Sequence, residues 1–154
     1  MESTFHNTII DVLLRFMAQV RANMDILNIN ASHRTEKSLR LVQNAAGFQV
    51  IMGGDGTAPV ESLETGRPPG KVPSNFIDII YQWMGDKGIP QDRDVAGAIA
   101  YSIKKHGTLR FQRLMYEGRF ESVYSLEAAE VQKQIENGIG AFLAERRTQI
   151  YSNL

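Results

Sequence analysis

Apolar residues near the N-terminus recur every three or four positions, the spacing that places side chains on one face of an α-helix. These positions are Ile9, Leu13, Phe16, Met17, Val20, Met24 and Leu27. With Ser3 or Thr4 as the N-cap, the pattern predicts a long amphipathic helix over residues 1–28. Because Ile10 and Leu14 widen the apolar face, this helix can pack on its own domain or on a neighbouring subunit as well.

A polar linker is predicted over residues 31–37, and the pattern then changes to the apolar–polar alternation of β-strands. Two alternating runs are separated by turn-type residues at 44–47. The alternating apolar positions are Leu39 and Leu41 in the first run and Phe48, Val50 and Met52 in the second. The sequence therefore predicts an antiparallel hairpin, which must lie on helices or join the sheet of another chain because two isolated strands are marginal in water.

Residues 57–74 contain four of the five prolines of the chain. Proline fixes the backbone and removes a hydrogen-bond donor, so it stiffens a segment without extending a helix or a sheet. We expect this stretch to be an ordered surface loop that is presented to a partner.

Helical spacing returns after the proline-rich stretch. A first helix is predicted after Ser74 or Asn75, and a second helix begins at Asp92 or Asp94. The expected inward positions are Phe76, Ile80, Trp83 and Met84 in the first helix, and Val95, Ala96, Ile99, Ala100 and Ile103 in the second. Residues 109–124 show no clean period. A long helix then runs from Ser125 to about residue 151, where Gly138 and Gly140 should weaken or bend it.

These elements predict an α+β fold with a long N-terminal helix, a short antiparallel hairpin, two central helices and a long C-terminal helix. The 154 residues suit one domain that can bury a core without disulfides or a structural metal. We therefore assign residues 1–154 to a single domain with a core at 34–111 and a helical extension at 120–154.

Composition narrows the function further. The absence of cysteine excludes a thiol nucleophile, a Cys-ligated zinc and an iron–sulfur cluster. The balance of 17 basic against 17 acidic residues argues against non-specific coating of nucleic acid or membranes. No membrane span or secretory signal is expected, so the composition predicts a soluble intracellular domain.

We find no catalytic constellation in the sequence, and we expect no enzyme activity, no cofactor and no metal. The three histidines are far apart, without acidic residues at ligand spacing. Residues 66–71 have the wrong glycine spacing for a phosphate-binding loop, and their prolines remove backbone donors. Asp92 and Asp94 suit the first turn of a helix better than a metal site. Glu61 and Glu64 suit an exposed turn, where they are solvated or salt-bridged, better than acid–base catalysis.

Two features could serve binding. The stretch from 104 to 119 is basic and could contact DNA or an acidic partner, or form a solvated face; its basic residues are Lys104, Lys105, Arg110, Arg113 and Arg119. The helices at 75–84 and 92–106 could form a helix-turn-helix unit, the alternative reading of the chain as a small DNA-binding regulator. Their connector exceeds the usual three or four residues, and the second helix is rich in alanine.

Several motifs follow one another over residues 34–111. Residues 63–73 read Leu-Glu-Thr-Gly-Arg-Pro-Pro-Gly-Lys-Val-Pro. The later motifs are Ile-Tyr-Gln-Trp-Met at 80–84, Lys-Gly-Ile at 87–89, Ala-Ile-Ala at 98–100 and Gly-Thr at 107–108. This order resembles the neck or tail-completion proteins of tailed bacteriophages, although Pro59-Val60 stands where that family often has an aromatic residue.

The resemblance implies a structural virion protein that forms a homo-oligomeric ring in the head–tail connector, between portal and tail and around the DNA channel. Its expected partners are the portal and the neighbouring neck and tail proteins, with no membrane. The residues expected to contact a neighbouring subunit or ring are Glu64, Gly66, Arg67, Pro68, Pro69, Gly70 and Lys71. The basic stretch is expected to face DNA or an acidic partner.

Overall fold

A computed structural model describes residues 2–29, 33–45, 47–53 and 60–152 of the chain. The helices are α1 (Glu2–Ile26), α2 (Arg34–Ser38), α3 (Val60–Thr65), α4 (Phe76–Asp86), α5 (Arg93–His106), α6 (Leu109–Glu117) and α7 (Ser125–Ser152). The strands are β1 (Arg40–Asn44) and β2 (Gly47–Ile51). The fold is α+β, as the sequence predicts. Over the described ranges no helix has the length and apolarity that a bilayer crossing requires.

The predicted hairpin is confirmed. β1 and β2 pair antiparallel, with Arg40 opposite Ile51 and Asn44 opposite Gly47. The prediction of a polar linker was wrong over residues 34–37, because this segment belongs to α2. Leu39 follows α2 directly and is buried, and its amide donates to the carbonyl of Glu36.

The main core lies where α1 meets the start of α7 and the segments between them. Its buried side chains are Met17, Val20, Met24, Leu39, Leu63 and Val123. The first three belong to the apolar face that the sequence predicts for α1. Since α1 begins at Glu2, the helix starts before the predicted caps at Ser3 and Thr4.

A second core joins α4 to α5. Its buried side chains are Phe76, Ile80, Met84, Ala96 and Ala100. Trp83 and Val95 were wrongly expected inside, since they are 36% and 45% exposed. The small side chains of Ala96 and Ala100 let α4 approach α5 closely, and Ile99 and Ile103 pack partly buried at the margin. The predicted cap at Asp92 is confirmed, because its carboxylate accepts from the amides of Asp94 and Val95.

Besides α2, two further short helices were not predicted. α3 lies inside the stretch that we expected to be a loop over 57–74, and residues 54–59 before it lie outside the described residues. α6 occupies the segment without a clean period, and none of its side chains is fully buried. α7 matches its predicted range, and the helix continues through Gly138 and Gly140.

Candidate interaction site

The segment after α3 is hydrogen-bonded to the junction between α5 and α6. The amide of Arg67 donates to Oγ1 of Thr108 over 2.9 Å, and the amide of Thr108 donates to the carbonyl of Arg67 over 2.9 Å. Further along, the amide of Gly70 donates to the carbonyl of Lys104 over 2.9 Å. The backbone of residues 67–70 therefore has a fixed position against the end of α5.

Two glycines allow this close approach. A Cβ on Gly66 would lie 2.5 Å from the backbone nitrogen of Phe111, and one on Gly107 would lie 2.7 Å from the carbonyl oxygen of Arg67. Both residues also have a positive φ, 73° and 77°. A side chain at either position would therefore push the segment away from α6 as well as strain the backbone.

The side chain of Arg67 is held within the chain. Its guanidinium donates to the carbonyl of Lys71 over 2.8 Å and lies 5.3 Å from the ring centre of Phe76. The first contact closes the loop on itself, and the second attaches it to the start of α4. Residues 66–71, which we call the contact loop, are thus connected to α4, α5 and α6 together.

Glu64, predicted as a contact residue, lies in the interior with 6% of its surface exposed. Its carboxylate oxygen Oε1 accepts from the amides of Tyr124 and Ser125 over 2.8 Å each and from the amide of Val123 over 3.2 Å. These amides stand at the start of α7, where donors have no partner within the helix. Glu64 therefore caps α7 from a segment 60 residues away.

Tyr124 lies beside this carboxylate. Its partial burial, followed by the negative charges of Glu64 and Glu61, raises the pKa of its phenol above the ordinary value of 10.0. Both causes disfavour the phenolate, so the Tyr124 hydroxyl stays protonated at neutral pH.

The predicted contact residues thus divide into two groups. Glu64 and Gly66 are buried and hold the loop in place, and Arg67 is half-buried. Pro68, Pro69, Gly70 and Lys71 are exposed. The surface that the loop offers to another molecule is therefore the short segment 68–71.

The predicted basic stretch is likewise divided. Arg110 donates through Nε to the carbonyl of Glu64 over 3.0 Å, and its other nitrogens contact the carbonyl and the carboxylate of Glu121. Arg119 pairs with Glu117 and with Glu121, at 3.7 and 3.9 Å. Arg110 is therefore held within the chain with 14% of its side chain exposed, whereas the side chain of Arg119 is 60% exposed. The side chain of Arg113 is half-buried on α6.

The remaining basic residues lie beside the contact loop. Lys104 and Lys105 are exposed in the last turn of α5, and the hydrogen bond from Gly70 to Lys104 places Lys71 at the same end. Within the described ranges, no carboxylate pairs with any of these three lysines. We call Lys71, Lys104 and Lys105 the basic end of α5.

The two-helix unit of α4 and α5 has an acidic start to its second helix. Asp92 and Asp94 are exposed in the first turn of α5, and Arg93 is paired with Asp78 at 2.5 Å. In a helix-turn-helix, the N-terminal residues of the second helix contact base edges between the phosphates. Carboxylates there would repel the phosphates, so the charge distribution does not favour DNA binding through this unit. The alternative function as a DNA-binding regulator stays a prediction.

An open apolar groove runs along α1 between α7 and the hairpin. The groove consists of three adjoining clefts. The middle cleft shares Leu13 and Ile135 with one neighbour and Phe16 with the other, and the largest of the three has a volume of about 630 Å³. Other side chains that line the groove are Phe5, Ile9, Phe48, Val50, Met52, Val131 and Phe142. The lining of this groove is mostly apolar.

One acidic and histidine cluster was missed in the sequence. The ligand-type atoms of Asp25, His33 and Glu36 lie within 4.8 Å of one another, and His33 Nδ1 is 2.6 Å from the Glu36 carboxylate. The view that no histidine has an acidic neighbour at short spacing was therefore wrong, because Glu36 follows His33 by three residues. The contact between His33 and Glu36 joins the two ends of a single helical turn, which accounts for it without a metal.

Comparison with protein-family models, with curated proteins and with solved structures finds no match to this chain.

Proposed function

We propose that this chain is a structural subunit of a ring in the head–tail connector of a tailed bacteriophage, which joins the portal to the tail around the DNA channel. The observation that carries the proposal is the contact loop. Its motif is the most specific part of the resemblance, and the chain's own hydrogen bonds hold residues 67–70 in one position with Pro68 and Pro69 outward.

A pre-ordered loop is suited to assembly. A flexible segment loses conformational entropy when a neighbour binds it, and this cost reduces affinity. The contact loop is already ordered in the free chain by its contacts with Gly107 and Thr108, and by the close approach that Gly66 allows, so binding costs it less conformational entropy. The exposed prolines can then fill an apolar depression on a neighbour, while Lys71 pairs with a carboxylate there.

A ring also needs a second, different surface on each subunit, because the contacts of a closed ring are heterologous. The groove along α1 provides apolar surface that residues 2–29, 33–45, 47–53 and 60–152 leave open. It is bordered by α7 and by the hairpin, which are elements separate from the contact loop. One subunit therefore carries two distinct surfaces of the kind that a head-to-tail contact joins.

The basic end of α5 fits the same role. Its three lysines have no acidic partner among the described residues, so they can pair with phosphates in the channel or with an acidic surface on an adjacent ring. Arg110 is less accessible than these lysines, because only 14% of its side chain is exposed beside Glu121. Arg119 contacts Glu117 and Glu121 but stays 60% exposed, so it remains a predicted contact residue.

Replacement of Lys71 by Glu tests the loop without disturbing its anchors, since the Lys71 side chain is exposed. A phage that lacks its own copy of the gene is supplied with K71E or with the control Lys133→Glu. Lys133 is an exposed lysine on α7 that forms no ion pair with any of the described residues. We expect K71E to leave filled heads without tails, and K133E to give tailed particles at the normal yield.

Electron microscopy of the particles and mass spectrometry of purified virions give the result. Tailed particles at equal yield for K71E and K133E would show that the contact loop is not an assembly contact. Absence of the chain from purified wild-type virions would contradict the proposed function itself.

A further inference from the structure

One face of α5 is exposed along almost its whole length. Asp94, Ala98, Tyr101 and Lys105 follow the spacing of four, three and four residues that aligns side chains along a helix, and all four are exposed. Tyr101, at 65% exposure, is among the most exposed large side chains of the described residues. We call these four residues the α5 stripe.

The α5 stripe is complementary to itself when it is reversed. It has a carboxylate at one end, an ammonium group at the other, and a small residue followed by a large one between them. In an antiparallel pair of such helices, Asp94 of each copy faces Lys105 of the other, and Ala98 faces Tyr101. The register is symmetric, because each of these pairs is centred on the same point between residues 99 and 100.

We propose that this stripe is a self-association surface whose partner is a second copy of the chain, packed antiparallel about a two-fold axis. One symmetric contact then forms both charge pairs and places both tyrosine rings over alanines. Neither Asp94 nor Lys105 has an ion pair within the described chain, so none must be broken on association.

The surroundings of the stripe strengthen the complementarity. Gly97, which also lies on α5, has no atom within 4 Å of the position where a Cβ would stand, so a second helix can approach there. Lys104 and Lys71 add positive charge near Lys105, and Asp92 adds negative charge near Asp94. Two copies in this arrangement set the basic end of each α5 against the acidic start of the other.

The contact is expected to be weak and sensitive to salt. The stripe extends over about 16 Å, at 1.5 Å per residue. A contact of this length buries less surface than the roughly 800 Å² per partner that a stable dimer buries. Exposed ion pairs are screened above about 0.1 M salt. We therefore expect a dimer that forms at micromolar concentrations in low salt.

This inference does not rest on the proposed function. It concerns the free chain, whereas the ring is an assembly on the portal. A dimer of this kind would cover the basic end until the portal or another acidic partner competes for it.

Cross-linking of the wild-type chain tests the geometry and keeps both charge pairs. A carbodiimide joins a carboxylate directly to an amine that lies against it, so it can link Asp94 of one copy to Lys105 of the other. These two residues of one copy lie about 16 Å apart along α5, so a link between them joins two chains. We expect one product at the mass of a dimer, with Asp94 linked to Lys105 by peptide mapping, because a two-fold contact uses both sites of both copies. The variants D94N and K105Q should each give no such product alone and should give it when they are mixed.

Charge reversal provides the second test, with the dissociation constant measured by analytical ultracentrifugation in low salt. Asp94→Lys and Lys105→Glu should each weaken the dimer about tenfold or more, since each places like charges together twice. The double variant D94K/K105E restores opposite charges and should recover the dimer, whereas Lys133→Glu should leave it unchanged. Thermal melting of each variant checks that α5 still folds.

Three outcomes would overturn the proposal. They are a cross-linked ladder of trimers and larger species, which indicates a head-to-tail contact; no cross-linked product at low salt; and no recovery in D94K/K105E when this variant melts like the wild type. None of them bears on whether the chain enters a phage connector, which the virion experiment decides.

Discussion

Glu64 shows how one side chain can connect distant parts of the fold. Glu64 comes directly after Leu63, a residue of the main core. Its backbone carbonyl accepts a hydrogen bond from Arg110, and its carboxylate accepts hydrogen bonds from three amides at the start of α7. A carboxylate at a helix N-terminus also interacts favourably with the helix dipole. The residue that the resemblance suggests as a contact is thus better explained as the support of the contact loop.

Glu64→Gln should lower the free energy of unfolding by about 1–3 kcal/mol, because a neutral amide replaces the charged acceptor of several buried amides. The measurement is urea unfolding followed by circular dichroism at pH 7. Glu61→Gln is the matched control, since Glu61 is an exposed residue of the same helix, and it should change stability by less than about 0.5 kcal/mol. Equal effects of the two variants would contradict the capping role.

Sequence alone could not have predicted this role. The amides that Glu64 binds lie about 60 residues later in the chain, and no local pattern connects the two segments. The same limit applies to Arg110 and Arg119, which look like free positive charge in the sequence but pair with Glu121 in the fold. In contrast, the cap at Asp92 is a local signal and was predicted correctly.

At the scale of elements, hydrophobic spacing predicts the helices that bury a face. α1, α4, α5 and α7 were all predicted from such spacing, and the hairpin from its alternation. α6 was missed although it is amphipathic, because it has only nine residues and Arg110 and Arg113 stand among its apolar positions. α3 was missed because it is six residues long and follows directly after a proline, in a stretch whose composition suggests a loop.

The inward face of α5 shows a second limit to what hydrophobic spacing can predict. The sequence offers both large aliphatic residues and alanines, and the larger residues were expected inside together with the small ones. In the fold Ala96 and Ala100 take the most buried positions, because α4 supplies the bulk through Phe76 and Met84. Val95 therefore lies outside. Which side chains of α5 are buried depends on how α5 packs against α4, and the pattern of either helix alone does not determine this.

The contact between the loop and α6 depends on Gly66, so Gly66→Ala should be costly. Its Cβ would overlap both Phe111 and Oγ1 of Thr108, and its φ is positive. Gly118→Ala is the matched control, because Gly118 has a φ of 64° with nothing within 4 Å of its Cβ position. We expect a loss of about 1–2 kcal/mol for Gly118→Ala from backbone strain alone.

For Gly66→Ala we expect a loss of about 2–5 kcal/mol, since steric overlap adds to the same strain. Urea unfolding of both variants gives the two values. A loss for Gly66→Ala no larger than that for Gly118→Ala would mean that the loop does not lie closely against α6.

At the scale of the whole molecule, the chain combines two small cores with surfaces that its described part leaves uncovered. The groove along α1, the tip of the contact loop and the outward face of α5 lie on different elements. A subunit of a ring needs more than one such surface. The sequence indicates this distribution only in part, because the groove arises from the placement of α7 and the hairpin on either side of α1.

The measurement that tests the central claim most directly is the mass of the purified chain by light scattering, alone and after mixing with the portal and the neighbouring neck proteins. Negative-stain microscopy of the largest species accompanies it. The account predicts a closed ring of this chain on the portal, whether or not the free chain also closes into a ring. A mass that stays at that of a monomer or dimer and does not change with any of these partners would contradict it.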